Sequence, residues 1–153
     1  MLRESIMERI AIAVLCNAGE VLIGPRADSD FLAGCWEFPG GKITPDENPA
    51  EAAARECKEE TGLEVTVLGK CAEVVHHYAI ERNHNMHENG TSLKLHLSFF
   101  ACHSLDCKLP VKPPFRWVGL NNLSSMDFPA ANRALITKLA DENFIEKFWG
   151  ATT

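Results

Sequence analysis

No apolar run in this chain is long. The longest, residues 10–16, has seven members, against the ~20 that a helix needs to cross a bilayer. The opening Met1-Leu-Arg-Glu-Ser5 sets charges where a secretory leader would carry its apolar segment. Neither secretion nor membrane insertion is expected, and the setting is read as cytoplasmic. Also missing is any Cys-x-x-Cys pair: the six cysteines stand apart at 16, 35, 57, 71, 102 and 107. Several fall in runs that read as buried strand or helix, where a thiol behaves as a small hydrophobe. Disulfide frameworks belong to shorter, loop-rich secreted chains, so reduced thiols are expected. Internal repeats, low-complexity tracts and linkers are absent as well. Positive charge is in deficit: 15 Lys and Arg face 21 Asp and Glu, a formal net charge of −6. The phosphates of a nucleic-acid polymer repel such a chain. A small phosphorylated ligand stays within reach, because a bound metal ion can reverse the local sign.

What is present reads as one globular domain over residues 1–153, with 46% hydrophobic and 24% charged residues. Ile10-Ala-Ile-Ala-Val-Leu-Cys16 predicts a strand, turned by Asn17-Ala-Gly-Glu20 and answered by Val21-Leu-Ile-Gly24, which is a hairpin pattern. Leu93, Leu95, Leu97 and Phe99 alternate with Lys94, His96 and Ser98, the period of a strand with one buried face. Residues 65–75 are rich in β-branched side chains and predict another long strand, and 115–118 a short one. Two helices stand out. The first has Asn48 as N-cap, Pro49 at the first helical position, Glu51 at capping-box spacing and Gly62 just past the end. The second starts near Pro129 and carries Ala131, Leu135 and Leu139 at four-residue spacing, a core stripe. Residues 79–91 are polar and read as a mobile loop. Strands interleaved with two main helices imply an α/β architecture with a mixed sheet. Phe148 and Trp149 fit packing on the domain or on a partner chain equally well.

Residues 41–63 hold six acids and three bases, so half of the net charge lies in 23 residues. Glu56, Glu59 and Glu60 fall at i, i+3 and i+4 and share an arc of roughly 100° on the first helix. Carboxylates so placed repel one another. A solvated acidic face is the ordinary explanation for such spacing. Here, however, Trp36-Glu-Phe-Pro-Gly-Gly41 precedes the acids and supplies two glycines where backbone can approach a ligand closely. Hard oxygen ligands on a rigid helix suit Mg²⁺ or Mn²⁺ bridging to substrate phosphates. Arg55 is placed to reach Glu47 or Glu59 and hold the loop to the helix.

Gly41, five residues, Glu47, seven residues, then Arg55-Glu-Cys-Lys-Glu-Glu-Thr-Gly-Leu63 resembles the box of the Nudix hydrolase superfamily. Cys57 stands where that pattern has an aliphatic residue. Arg26-Ala-Asp28, Trp36-Glu-Phe-Pro-Gly-Gly-Lys42, Trp117-Val-Gly-Leu120 and Asp127-Phe-Pro-Ala-Ala-Asn132 look like the MutT branch, which hydrolyses oxidised guanine nucleotides such as 8-oxo-dGTP. The resemblance implies a Nudix α/β/α sandwich and a divalent cation, Mg²⁺ or Mn²⁺, held by Glu56, Glu59, Glu60 and the Gly40 carbonyl. It also implies attack of water on a triphosphate phosphorus, releasing the monophosphate and pyrophosphate. Gly41, Glu47 and Gly62 would be the structural positions of the box, and Arg55 a supporting catalytic residue. Glu56 corresponds to the base, with Glu59 or a distal acid as alternatives. Arg26 would contact a nucleotide phosphate. The branch also carries a glutamate shortly before the residue matching Trp117; here residues 109–114 contain no acid, and Asp106, Glu81 or Glu88 are the candidates to replace it.

Asn132 offers an acceptor and a donor side by side. Oxidised guanine presents O6 and N7–H to such an amide, whereas ordinary guanine presents two acceptors. Phe38, supported by Phe128, would wall the purine. Rival readings make Asn132 a helix-start residue and Phe38 a core aromatic. His84-x-x-His87 with Glu88 has zinc-compatible spacing but lies in the polar loop, where no four-ligand set is evident. The leading expectation is therefore a metal-dependent nucleoside triphosphate diphosphatase acting on a small nucleotide, with no polymer or membrane partner, as a monomer or homodimer. The alternatives are a Nudix enzyme for ADP-ribose, a dinucleotide or an unmodified dNTP, and a non-hydrolytic nucleotide-binding module.

Overall fold

The computed structural model describes residues 5–27, 33–80 and 91–150. Asp28, most of the polar loop with Glu81, His84, His87 and Glu88, and both chain ends lie outside the described residues. Seven strands form a mixed sheet: β1 (Ser5–Asn17), β2 (Glu20–Pro25), β3 (Trp36–Glu37), β4 (Gly40–Lys42), β5 (Val65–Ile80), β6 (Thr91–Ser104) and β7 (Arg116–Gly119). The main path runs β3-β2-β1-β6-β5, with β4 paired to β1 and β7 to β2. The expected hairpin is there, with Cys16 opposite Val21 and Asn17 opposite Glu20. β1 and β6 run parallel, while β5 and β6 are antiparallel. β5 continues to Ile80, five residues beyond the β-branched run, because β6 pairs with it along its whole length.

The alternation along β1 decides how the layers assemble. Ile12, Val14 and Cys16 face one side; Ala11, Ala13 and Leu15 face the other. The second side is built from small residues, so α1 (Pro49–Thr61) can lie close against it through Ala52, Ala53 and Cys57, all fully buried. The first side is covered by α2 (Arg133–Leu139), through Leu135 and Leu139, and by α3 (Glu142–Trp149). The result is a sheet with helices on both faces, the α/β sandwich that the sequence implies.

Both ends of α1 form as the residue pattern predicts. Asn48 accepts from the Glu51 amide, Pro49 opens the helix, and Gly62 closes it at φ 79°, returning its amide to the Lys58 carbonyl. The second helix is prefaced by a 3₁₀ turn over Ala130–Asn132, so its α-helical part starts at Arg133. α3 adds a third helix to the two expected. Asp141 caps it, and Trp149 ends it, buried and donating its indole N–H to the carbonyls of Val14 (3.1 Å) and Cys102 (3.2 Å). That contact ties α3 to the parallel β1–β6 seam and settles the C-terminal aromatics as part of this domain's core. Among the described residues no helix is long and apolar enough to cross a membrane.

Candidate active site

The site is the place where α1 lies beside β4. Because Ala53, Cys57 and Thr61 point into the core, the acids one position before and two positions after Cys57 emerge along the helix edge that faces the Gly40–Gly41 strand. Exposure rises outward: the Glu56 side chain is 17% exposed and that of Glu59 58%. Glu60 turns back toward the sheet and accepts from the Gly40 amide at 3.4 Å. A Cβ at Gly41 would run into the Glu56 carboxyl, and one at Gly40 would come within 2.6 Å of the Ala11 carbonyl. Both positions therefore need glycine for close approach.

Arg55 organises the cluster. Its Nε and Nη2 donate to the two carboxylate oxygens of Glu47 (3.0 and 2.6 Å), and Nη2 also donates to the Lys42 carbonyl (3.1 Å). Its Nη1 donates to Glu56 at 3.0 Å and to both oxygens of Glu59 at 3.3 Å. The expected reach to Glu47 or Glu59 is thus a reach to both. The fork and the Thr44 amide hold the Glu47 carboxyl down at about 2. Glu60 moves the other way, to about 8: burial is the main cause, and the charges of Glu37 and Glu56 add to it against the Gly40 hydrogen bond.

A buried carboxyl surrounded by other carboxylates is a site short of positive charge. The donors present, three glutamates and the backbone at Gly40, are hard oxygens of the kind that a divalent cation takes. As the side chains lie here, no three of them among the described residues meet at one ligating point, because Arg55 draws Glu56 and Glu59 to itself. The donor set fits the cation; its convergence requires Arg55 to yield those two carboxylates.

The remaining expected residues differ in role. Arg26 Nη1 pairs with Glu37 Oε2 at 3.1 Å. Phe38 is 4% exposed, stacked on Phe128 (centroids 5.3 Å apart) and edge-on to Phe99 (6.4 Å), so its ring is packed among core aromatics. Asn132 is 7% exposed and caps nothing. Among the described residues its side chain makes one long hydrogen bond, from Nδ2 to the Pro129 carbonyl at 3.5 Å. Asn132 thus stands at the start of α2 and bonds backbone through its side chain, though its amide caps no helical N–H. Asp106 accepts from the Lys108 amide at 3.0 Å, closing its own turn. Glu37 was missed as a site residue, although it stands inside the Trp36–Lys42 motif; Arg26, which pairs with it, is eleven positions upstream, just past the end of β2. Tyr78 was missed too. Its ring is tilted against that of His76 (centroids 4.3 Å apart), and its hydroxyl lies near the Ala131 backbone and Arg26.

The likenesses to known proteins agree with this geometry. The family profile described as NUDIX domain matches residues 11–138, and the chain belongs to that family of pyrophosphohydrolases, which use divalent metals. It is 41% identical over 61 residues to the CTP pyrophosphohydrolase of Escherichia coli (strain K12), a stretch of 40% of this chain and 45% of that one; the match thus spans about half of that relative. It is 29% identical over 134 residues to the 8-oxo-dGTP diphosphatase of the same organism, covering 86% and 95% of the two chains. Among solved structures, the MutT protein of Methanosarcina mazei Go1 matches with a TM-score of 0.66 and 26% identity over 94% of this chain and 99% of that one.

Proposed function

We propose that this chain is a Mg²⁺-dependent nucleoside triphosphate diphosphatase that prefers oxidised purine nucleotides, 8-oxo-dGTP above all. The observation that carries the reading is the under-compensated carboxylate cluster on α1, with a buried, little-engaged amide at Asn132 on the helical turn that β5 also packs against. Glu56, Glu59, Glu60 and the Gly40 carbonyl would hold the cation, with Mn²⁺ an acceptable substitute. Bound there, it supplies charge neutralisation across the triphosphate and a water of lowered pKa. Phosphoryl substitution asks little else of the protein beyond positioning and one base. Water forms the new O–P bond, a carboxylate oxygen of Glu56 takes its proton, and the bridging P–O bond breaks to give monophosphate and pyrophosphate. Arg26 binds a phosphate oxygen with its cationic fork. Arg55 holds the box loop against α1 and offsets the repulsion among the acids. Asn132 pairs O6 and N7–H of the oxidised base, a contact of the kind worth ~1–3 kcal/mol of discrimination. Phe38 and Phe128 form the apolar floor behind it.

Pyrophosphate release with Mg²⁺, compared between 8-oxo-dGTP and dGTP, tests this. We expect a kcat/KM ratio of at least ~5, the factor corresponding to the lower end of that discrimination, shrinking in Asn132→Ala. Equal rates for the two nucleotides remove the oxidised-base preference, and no release from either removes the diphosphatase assignment. The likeness to a CTP pyrophosphohydrolase favours a second reading, a pyrimidine triphosphate as substrate; CTP turning over faster than 8-oxo-dGTP in the same assay would establish it.

A further inference from the structure

β5 ends the sheet on one side: among the described residues β6 is the one strand that pairs with it. The outer edge of a strand this long is a template for a further strand. Leu68 and Val75, both on β5, keep 42% and 49% of their surface exposed. The register with β6 slips at Cys71: Lys70 stands opposite Phe100 and Ala72 opposite Phe99, with Cys71 as the extra residue of a bulge. Glu73 then falls opposite Ser98, on the same face as Lys70. In a regular strand residues three apart point to opposite faces. The bulge is what lets Lys70 Nζ come within 3.3 Å of Glu73 Oε2. Cys71 and Ala72 pack in the core layer under α2 and α3, and Gly69 and Val74 stand opposite Ala101 and Leu97 of that same layer. With Cys71 and Ala72 sharing one strand position, the faces along residues 69–74 read alike from either end.

We propose that two copies of this chain associate edge to edge through β5, antiparallel about a two-fold axis at Cys71–Ala72, with Lys70 of each copy against Glu73 of the other. The interface is isologous, and it keeps each face of the sheet continuous across the axis. Opposite charges meet twice in this register, and the Leu68 end of one strand comes to the Val75 end of its mate. Gly69 has nothing within 4 Å of where a Cβ would sit, which leaves space beside Val74 of the other copy. Without the bulge the two charges would face opposite sides of the sheet, and no two-fold axis could join them. Inside one copy the Lys70–Glu73 pair is worth little, since both side chains are 45% exposed. Turning Lys70 toward the second copy therefore costs little, and Glu73 keeps His96 of its own chain. A foreign strand would need the same spacing of opposite charges around a bulge; a second copy has it by symmetry.

Sedimentation velocity of the full chain over a concentration series, without nucleotide or metal, tests this. Wild type should shift toward twice the chain mass as concentration rises. Lys70→Glu sets two like-charged pairs across the axis, and so does Glu73→Lys; each should self-associate at least about tenfold more weakly. Mixed in equal amounts, the two variants should form a heterodimer as readily as wild type pairs with itself, because every cross-axis pair is then attractive. Misfolding cannot produce that rescue. Glu20→Lys, on β2 and three strands away, changes the net charge as Glu73→Lys does and should not weaken association. A wild type that stays monomeric at every concentration overturns the proposal. So do single variants that pair as wild type does, and a mixture that stays as weakly associated as its components.

Discussion

Arg55 is the residue on which the crowded acids of α1 depend. Three glutamates on one helix edge repel, and without a counter-charge they would oppose the helix that carries them. The structure answers with a single guanidinium that spans Glu47, Glu56 and Glu59 and also meets the Lys42 carbonyl. Glu47 receives both tines of the fork, and its carboxyl is held down at about 2, first by that bond and then by the Thr44 amide. A depressed carboxyl stabilises the fold above its unfolded value near 4.5 and loses that contribution as pH falls through about 2. Thermal unfolding of wild type and Glu47→Gln should therefore differ most above pH 5 and converge between about 4.5 and 2. A gap that stays constant down to pH 2 would mean that shape, not charge, is the source. For Glu56, removing the charge while keeping the size should leave the melting temperature near wild type and lower kcat by at least ~10²-fold, the scale of a lost acid–base group. Unchanged turnover in Glu56→Gln would move the base to another residue. The acids, their arc and the reach of Arg55 were legible in the sequence because helical spacing alone places them. The Arg26–Glu37 pair was not, since its geometry comes from the pairing of two strands.

At the level of elements, the short strand at Gly40–Lys42 sets the distance between α1 and the sheet. Gly40 and Gly41 carry no side chain where one would meet the Ala11 carbonyl in the first case and the Glu56 carboxyl in the second. The two clashes differ in kind. Backbone cannot retreat, whereas a carboxyl at the end of a flexible side chain can. Gly41→Ala should therefore fold with a melting temperature close to wild type and lose activity, because the methyl takes the place of the Glu56 carboxylate. Gly40→Ala should lower the melting temperature, a loss that follows from strain against β1. If Gly41→Ala keeps full turnover, the position found for Glu56 is not the working one. α1 was legible to the residue, since Asn48, Pro49, Glu51 and Gly62 write its ends into local chemistry. The eight-residue α3 was not. A helix that short is not stable by propensity. What holds this one is burial of Trp149 and its bonds to two strands more than forty residues away in sequence. β5 ran past its β-branched segment for a similar reason: pairing with β6 outweighs the weaker propensity of the His76–Ile80 stretch.

Over the whole molecule, the two faces of the sheet do different work, and the thiols record the division. Cys57 and Cys102 lie in the layer between sheet and α1, while Cys16 and Cys71 lie in the layer covered by α2 and α3. All four are buried, and burial is the main cause raising each thiol: to about 11 at Cys57 and Cys71, about 12 at Cys102, and higher still at Cys16. Such groups stay protonated at neutral pH and behave as small apolar side chains, which is what their positions in strand and helix runs led the sequence to suggest. Cys35 is half-buried and Cys107 is exposed on the loop that follows β6. The layered packing therefore makes a count: with a colourless-to-coloured thiol reagent at pH 8, Cys107 should react at once, Cys35 more slowly, and the other four only with unfolding. Denaturant should then release all four together, because Cys16 and Cys102 flank the same Trp149 seam and Cys57 cannot be exposed without lifting α1 from Ala11 and Ala13. Two thiols appearing before the rest would instead show that one helical layer detaches by itself, and their identities would say which. If Cys57 leads, the layer that carries the proposed metal-binding acids is the less firmly held of the two, and Mn²⁺ should slow its release while leaving Cys16 and Cys71 unaffected.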